Sequence, residues 1–524
     1  MNIIARISSC LGIGHVMRMK WLLHEFSARG YSLTVILDDS PVDVSYLIKE
    51  LKCQLHYVVT NSENDIALIK SFIVESTSCF VFIDHYELGY EYEEQLKSLG
   101  CKVVVFDDLA RAHYCDFLFD AKWEGHKTAN RYDNKVPDFT KLYQGPDFAL
   151  LSPDYSNCKR KMITNKGITK ILLSLGGGGD LALFGSFIGA IPKALMKELD
   201  ISVVIGPQAK NRSILDLVSK NIPEITLLEA PLSLAKYYSE CDLFIGSLGT
   251  SLYELAAFKV PSITFSIAVN QNNELPHLEA FGHFLHLDMI DLAQMKTLGE
   301  NLAKILCALP RITQLRKQAI LLVDGAGVKR VANVLTGNQI DLGGNFIESH
   351  VHKYTYLSKT ISIRPICDGD INDYLVARNK PSNAKRMTLT KPIERLPHYL
   401  WWFNNERRSY VVENNGKVIA YIWHQLYRQN GAEYLYGGWF TADEELPFNI
   451  AILILQWQLD FCDELHPHAH WLAVIHKDNK FVNLLNRYMG FVETPQDSLY
   501  YSVTESLFPQ ADTQFNFVMR YSNE

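Results

Sequence analysis

Short apolar runs alternate with helical patterns through the first third of the chain. MNIIARI reads as a strand, and HVMRMKWLLHEFSARG as a helix closed by Gly30. SLTVILDD, CFVFIDHY and CKVVVFDD read as further strands. Strand, helix and strand repeated in this way predict a parallel sheet with helices on both faces. The strand ends carry Asp38, Asp39, Asp84, Asp107 and Asp108, where ligands of such sheets sit. A less regular stretch runs from about Trp123 to Lys170. A second alternating set then begins at ITKILLSLGGGGD and continues with ISVVIG, CDLFIGS and VPSITFS. Two similar open α/β units are therefore expected, with a substrate crevice between them.

The pattern weakens near Thr336, and GNQIDLGGN reads as a linker. Beyond it the alternation shortens. RRSYVVENNGKVIAYIWHQL is a hairpin pattern turning at Asn414, Asn415 and Gly416. The expected organisation is α/β throughout the first two-thirds: a Rossmann-like half over 1–155, a second over 156–335, a linker over 336–359 and an α+β domain over 360–524.

Composition narrows this only slightly. A chain of 524 residues exceeds one ordinary core, in keeping with several domains. The net charge of -7, with no basic run, argues against a nucleic-acid partner. No apolar run is long enough for a membrane span, and the start of the chain reads as a strand rather than a signal segment. The ten cysteines form no CxxC pairs, so reduced thiols in a cytoplasmic protein are expected. No metal is demanded, for no His/Cys cluster has ligand spacing.

Four stretches carry candidate chemistry. GIGHVMR places Gly12, Gly14, His15 and Arg18 where a first strand passes into a helix. Backbone amides there suit an anion. His15, titrating near neutrality, suits general acid or base work, with capping or packing as the alternative. LLSLGGGGD brings Gly176 and Gly177, whose lack of side chains allows close backbone approach to a ligand or simply a flexible turn. GSLGTSLYEL offers Gly249, Thr250 and Ser251 at a helix start for a pyrophosphate. Glu254, one turn in, suits ribose hydroxyls, and Gln271 and Asn272 follow as site lining. IDHYELG supplies Asp84 and Tyr86, placed to share a pocket with His15 or only to cap local backbone.

Together GIGHVMR, IDHYELG, VVVFDDLARAHYCD, GPDFALLSPDY, SLGGGGD and the GTSLYELAAFKVPSI to NQNN region resemble the UDP-sugar hydrolases of pseudaminic acid biosynthesis, over roughly residues 1 to 330. The resemblance implies a glycosyltransferase-B-like fold and a substrate of UDP-2,4-diacetamido-2,4,6-trideoxy-β-L-altropyranose or a close relative. It also implies that His15 activates water, that UDP leaves with inversion and that no cofactor is required. One departure is visible. The family has an aspartate in an RxDxS segment before GxGH, whereas this chain reads Arg6-Ile7-Ser8-Ser9-Cys10. Asp84 remains as a nearby carboxylate.

The last third resembles the GNAT N-acetyltransferases, nearest to those that acetylate the 4-amino group of sugar nucleotides in the same pathway. Arg378, Asn379, Met387, His398 and Trp402 follow that pattern, and Asn479 with Gly490-Phe491 the late motif. The resemblance implies acetyl-CoA as cofactor. The glycine-rich acyl-carrier loop is replaced by ADEELPFNIAILILQW, with Glu444 and Glu445 where phosphates would sit. The usual tyrosine position is Asn486, and Tyr488 stands two residues later. The expected function is hydrolysis of the UDP-sugar joined to acetylation of its amino precursor. A UDP-sugar glycosyltransferase and a non-catalytic UDP-sugar-binding protein are the rivals.

Overall fold

The computed structural model describes residues 2–10, 13–40, 43–60, 62–73, 78–157, 167–249, 251–267, 274–342, 353–429, 431–442 and 446–522. Met1–Glu348 form one compact unit and Ser349–Glu524 another.

The first unit holds two parallel sheets. Strands β1 (Asn2–Ile7), β2 (Ser32–Asp38), β3 (Gln54–Val58), β4 (Cys79–Asp84), β5 (Lys102–Phe106), β6 (Phe117–Asp120) and β7 (Lys141–Gln144) lie in the order β3-β2-β1-β4-β5-β6-β7. Every position of β4 is buried, as a sheet covered on both faces requires. The apolar stripe of helix α1 (Gly14–Ala28), made of Val16, Met19, Leu22, Leu23 and Phe26, packs on Ile3, Ala5 and Ile7 of β1.

The second sheet is built from β8 (Thr169–Ser174), β10 (Leu199–Ile205), β12 (Ile225–Glu229), β13 (Leu243–Ser247), β14 (Ser262–Ser266) and β15 (Leu285–Met289), in the order β12-β10-β8-β13-β14-β15. The short strands β9 (Gly178–Asp180) and β11 (Gln208–Lys210) pair separately. Helix α2 (Ser251–Phe258) follows β13 and buries Leu255 and Phe258 in the second core. Helix α3 (Gly327–Leu335) ends this half in sequence yet inserts Val328, Val331 and Leu335 into the core of the first half. Its apolar face therefore ties the two Rossmann-type halves together, and the architecture is glycosyltransferase-B-like.

The second unit has one sheet, ordered β16-β17-β18-β19-β20-β21-β23-β22. Its strands are β16 (Thr355–Tyr356), β17 (Ile361–Pro365), β18 (Arg408–Asn414), β19 (Lys417–Gln429), β20 (Ala432–Thr441), β21 (His470–His476), β22 (Val492–Glu493) and β23 (Phe515–Arg520). The β18–β19 turn has Asn415 at φ 50° and Gly416 at φ 77°, the left-handed pair a tight hairpin favours. Only β20 and β21 run parallel, and helix α6 (Phe448–Leu465) makes the crossover between them. Helices α4 (Ile371–Asn379), α5 (Arg395–Asn404), α7 (Lys480–Tyr488) and α8 (Leu499–Leu507) complete a GNAT-like α+β domain. Among the described residues, no helix is long and apolar enough to cross a membrane.

Gly246 marks a tight point of the second sheet. A Cβ there would lie 2.0 Å from the carbonyl oxygen of Ser174 on β8. Gly246→Ala forces two parallel strands apart and is expected to cost about 1–3 kcal/mol. The first unit's urea midpoint should fall accordingly, and an unchanged midpoint refutes the assignment.

Candidate functional site

The strand orders reverse at two places, between β1 and β4 and between β8 and β13, where open parallel sheets bind ligands. The sequence-derived candidates of the first two-thirds that are among the described residues lie around these two crevices. In the first, Asp84 ends β4 beside Ile7, the last residue of β1. It has no exposed surface. His15, in the first turn of α1, brings its Nδ1 to 2.6 Å from Asp84 Oδ1. Arg18, one turn on, donates its Nε–H to Asp84 Oδ2 at 2.7 Å and a second N–H to Oδ1. Burial opposes the charge on Asp84, but Arg18 and His15 outweigh it and hold the carboxyl at about 2. An ionised carboxylate at Nδ1 puts the imidazole proton there and leaves Nε2 as a lone-pair acceptor. Among the described residues, Nε2 has no partner.

Tyr86 meets the His15 ring edge-on at 4.7 Å and donates its hydroxyl to Asp108 at 2.6 Å. Asp108 also accepts from Arg18 at 3.2 Å. Arg18 is thus spent on two carboxylates and orients the site instead of presenting a free cation to a phosphate.

Beneath these residues lies a network that the sequence reading missed. Arg6, fully buried, donates to Asp38 at 2.6 Å and to Asp65 at 2.9 Å. Asp38 also accepts from the backbone N–H of Ser9 at 2.8 Å, from Thr60 at 2.9 Å and from His85 Nε2 at 3.0 Å. Burial disfavours its charge, yet His85, Arg6 and the Ser9 amide hold Asp38 well below the usual carboxylate range. Asp38, at the end of the neighbouring strand, thus holds the backbone of Ser9 and Cys10 just after β1. The available signal was an arginine inside an apolar strand, which must find a buried partner.

The second crevice faces the first. A Cβ on Gly177 would lie 2.8 Å from the Ile13 side chain, so the loop after β8 touches the residue preceding α1. Gly176 takes φ 75°, which favours glycine. Gly14 has open space where a side chain would stand. At the start of α2, Ser251 Oγ donates to the Ser247 carbonyl at 3.0 Å, and the Gly249 amide points to Ser251 Oγ at 3.4 Å. Tyr253 Oη donates to the Ala121 carbonyl at 2.9 Å, joining the two halves across the crevice. Glu254 lies beside the Tyr155 and Tyr238 hydroxyls, and burial pushes its carboxyl up to about 7. Gly12, Thr250, Gln271 and Asn272 lie outside the described residues.

Of the second unit's candidates, Arg378 donates to Asn379 at 3.3 Å, and the others serve apart from that pair. Arg378 is buried and donates to the Leu389 and Lys391 carbonyls. Asn379 clamps Ile393 through both its amide and carbonyl groups. His398 is buried against Tyr374 and donates Nε2–H to the Ile371 carbonyl at 2.7 Å, with burial lowering it to about 4. Asn479 caps α7 by accepting the Val482 N–H at 3.3 Å. Tyr488 is 68% exposed. The first four serve as loop staples, core and cap.

The opening in that sheet lies elsewhere. β20 and β21 pair only over Tyr434–Tyr436 and His470–Leu472. β20 continues to Thr441 and β21 to His476, so the strands part from Gly437 onward. At the far end of this gap Asn383 bonds both main-chain groups of Thr441, and Asn483 Nδ2 donates to the His476 carbonyl. Glu444 and Glu445 lie outside the described residues. Among the described residues, no group of three or more His, Cys, Asp or Glu side chains is placed to hold a metal.

No protein-family model matches the chain. The spore coat polysaccharide biosynthesis protein SpsG of Bacillus subtilis is 25% identical over 197 residues, 37% of this chain and 58% of its own length. The UDP-2,4-diacetamido-2,4,6-trideoxy-beta-L-altropyranose hydrolase of Campylobacter jejuni is 24% identical over 278 residues, 53% of this chain and 94% of its own length. The chain is therefore weakly homologous to both. Of solved structures, MurG of Acinetobacter baumannii superposes with a TM-score of 0.43 at 16% identity, covering 64% of this chain and 99% of MurG. RimL, a ribosomal L7/L12 alpha-N-protein acetyltransferase in complex with coenzyme A, gives 0.25 at 13% identity over 32% of this chain and 98% of RimL.

The depressed carboxyl of Asp84 makes a pH prediction. Its folded value of about 2 lies below the unfolded value of about 3.9, so its contribution is complete above the latter and lost as pH falls through the former. In urea unfolding, the stability gap between wild type and Asp84→Asn should be constant above about pH 5 and close between about pH 4 and 2. A gap independent of pH refutes the ion-pair assignment.

Proposed function

We propose that the first unit hydrolyses UDP-2,4-diacetamido-2,4,6-trideoxy-β-L-altropyranose or a close relative, and that the second acetylates the amino group of its sugar-nucleotide precursor. The carrying observation is the His15–Asp84 pair at the first switch point, with Nε2 facing away from its carboxylate. Homology to a nucleotide-sugar hydrolase and a polysaccharide biosynthesis protein supports a nucleotide-sugar enzyme.

Water oxygen attacks the anomeric carbon while its proton passes to His15 Nε2. The anomeric C–O bond breaks, and its electron pair leaves with the β-phosphate oxygen of UDP. The configuration at carbon inverts. The imidazolium is stabilised by Asp84 at Nδ1, and Arg18 keeps that carboxylate aimed. Backbone amides at Gly249 and Ser251, at the positive end of α2, receive the charge that grows on the leaving phosphate. Gly176 in the facing turn has open space where a side chain would stand.

Acetyl-CoA fits the second unit on one observation. Where β20 and β21 part, main-chain groups lie outside the ladder between them, of a kind that bind an extended amide-bearing arm. Gly437 and Gly438 would line it on one side and Ala473 to His476 on the other. The unpaired first-turn amides of α6 at Phe448, Asn449 and Ile450 would take the phosphates. When bound, acetyl-CoA supplies the acetyl group that an acceptor amine takes, with release of the thiol.

Proton NMR with the UDP-sugar tests the first reaction. Free sugar and UDP are expected to replace the substrate's anomeric signal, with His15→Ala inactive. Asp84→Asn should lower kcat by about 10²–10⁴-fold with little change in KM, because it acts through the histidine. Substrate that binds and survives favours a transferase or a binding protein. For the second reaction, thiol release from acetyl-CoA should require the amino-sugar nucleotide, and its absence refutes the acyltransferase reading.

A further inference from the structure

Arg407 lies in the short link between α5 and β18, and its guanidinium is stacked instead of ion-paired. Its central carbon is 3.7 Å from the Trp423 ring centroid and 5.4 Å from that of Trp401. The backbone beneath is fixed. The Arg407 N–H donates to Asn405 Oδ1 at 3.0 Å, and Asn405 Nδ2 donates to the Trp402 carbonyl at 2.9 Å. Among the other arginines of this unit, Arg364 pairs with Asp370 and Glu413, Arg428 with Glu433 and Arg520 with Asp463, while Arg378 meets main-chain carbonyls. Among the described residues, Arg407 has no carboxylate within ion-pair distance. The Tyr374 hydroxyl lies beside it, and Glu406 is the nearest acid in sequence. Stacking occupies the faces of the guanidinium and leaves N–H groups at its edge, a preset fork for a phosphate.

The rings continue from this cation as a half-buried rail. Trp423 meets Tyr436 edge-on at 5.7 Å, and Tyr436 meets Phe508, at the end of α8, at 5.8 Å. Tyr436 donates its hydroxyl to Gln425 Oε1 at 2.8 Å, which leaves the Gln425 amide N–H groups for another acceptor. The rail also has a reason to stop at a glycine. A Cβ on Gly438 would come within 3.1 Å of the Trp423 indole, so only glycine lets that ring lie against β20. Gly438 is also at the lip where β20 and β21 part.

We propose that Arg407 and the rail of Trp423, Tyr436 and Phe508 bind the nucleoside diphosphate of the second unit's acceptor, with the guanidinium on a phosphate and the rings against the base. This rests on reading that unit as an acyltransferase for an amino-sugar nucleotide. The charge decides the ligand class: an oriented cation with no carboxylate partner among the described residues, beside half-buried rings, suits a group that is anionic at one end and flat and aromatic at the other. The sugar amine then falls near Gly438, at the mouth of the gap.

The test uses the full chain and UDP as the probe, with equilibrium dialysis for stoichiometry and hydrogen exchange for location. Wild type is expected to bind two UDP per chain. Exchange should slow in peptides spanning 174–180 and 247–256 and separately in those spanning 403–410 and 423–438. Arg407→Gln should weaken the second site at least tenfold, leave the first site and UDP release unchanged, and raise the KM of acetyl transfer more than it lowers kcat. One UDP per chain with protection only in the first unit overturns this proposal and leaves the hydrolase reading standing. Protection at 423–438 that survives Arg407→Gln also overturns it. No UDP bound at either place defeats this proposal and the UDP reading of the whole chain.

Discussion

A carboxylate with no exposed surface governs the first unit. Asp84 ends a wholly buried strand, where an uncompensated charge would be costly, and two side chains from one helix supply the compensation. His15 and Arg18 are three residues apart on α1 and so share a face. The interaction that satisfies the buried charge also sets the imidazole's tautomer and direction. Orientation of the imidazole and burial of the charge are thus one requirement at this point in the fold.

The same logic operates one strand away. Arg6 sits among buried apolar residues of β1 and is held by Asp38 and Asp65, while Asp38 gathers the Ser9 amide, Thr60 and His85. Tyr132 similarly bridges Asp107 and Asp120 near the ends of β5 and β6. The carboxyl ends of this sheet therefore form a polar layer in which Asp38, Asp84, Asp107 and Asp120 each meet a cationic side chain. Such a layer is rigid because no member moves without leaving another buried and unpaired. The α2 side of the crevice is lighter by comparison, with main-chain amides, a hydroxyl and glycines.

The second unit uses backbone more than side chains. Its opening arises because one parallel pair within an otherwise antiparallel sheet stops pairing after a few residues. The residues that motif likeness emphasised do other work there. Arg378 and Asn379 staple the loop over 389–393, His398 fills the core under Tyr374, and Asn479 caps a helix. Each is polar and well placed to recur in this fold for reasons of stability alone.

The alternation of apolar strands and amphipathic helices determined the α/β halves, because burial on both faces leaves a continuous apolar run that survives in one dimension. The Asn-Gly hairpin was equally legible, since its left-handed backbone restricts the residues that fit. His15, Asp84 and Tyr86 were readable as candidates from their position after strands. What one dimension could not hold was partnership. That Arg18 is spent on Asp84 and Asp108, that Asp38 gathers Arg6 and the Ser9 amide and that Arg407 lies flat on Trp423 depend on segments far apart in sequence lying side by side. The return of α3 to the first half is of the same kind. The core that receives its apolar stripe exists only once the chain has folded.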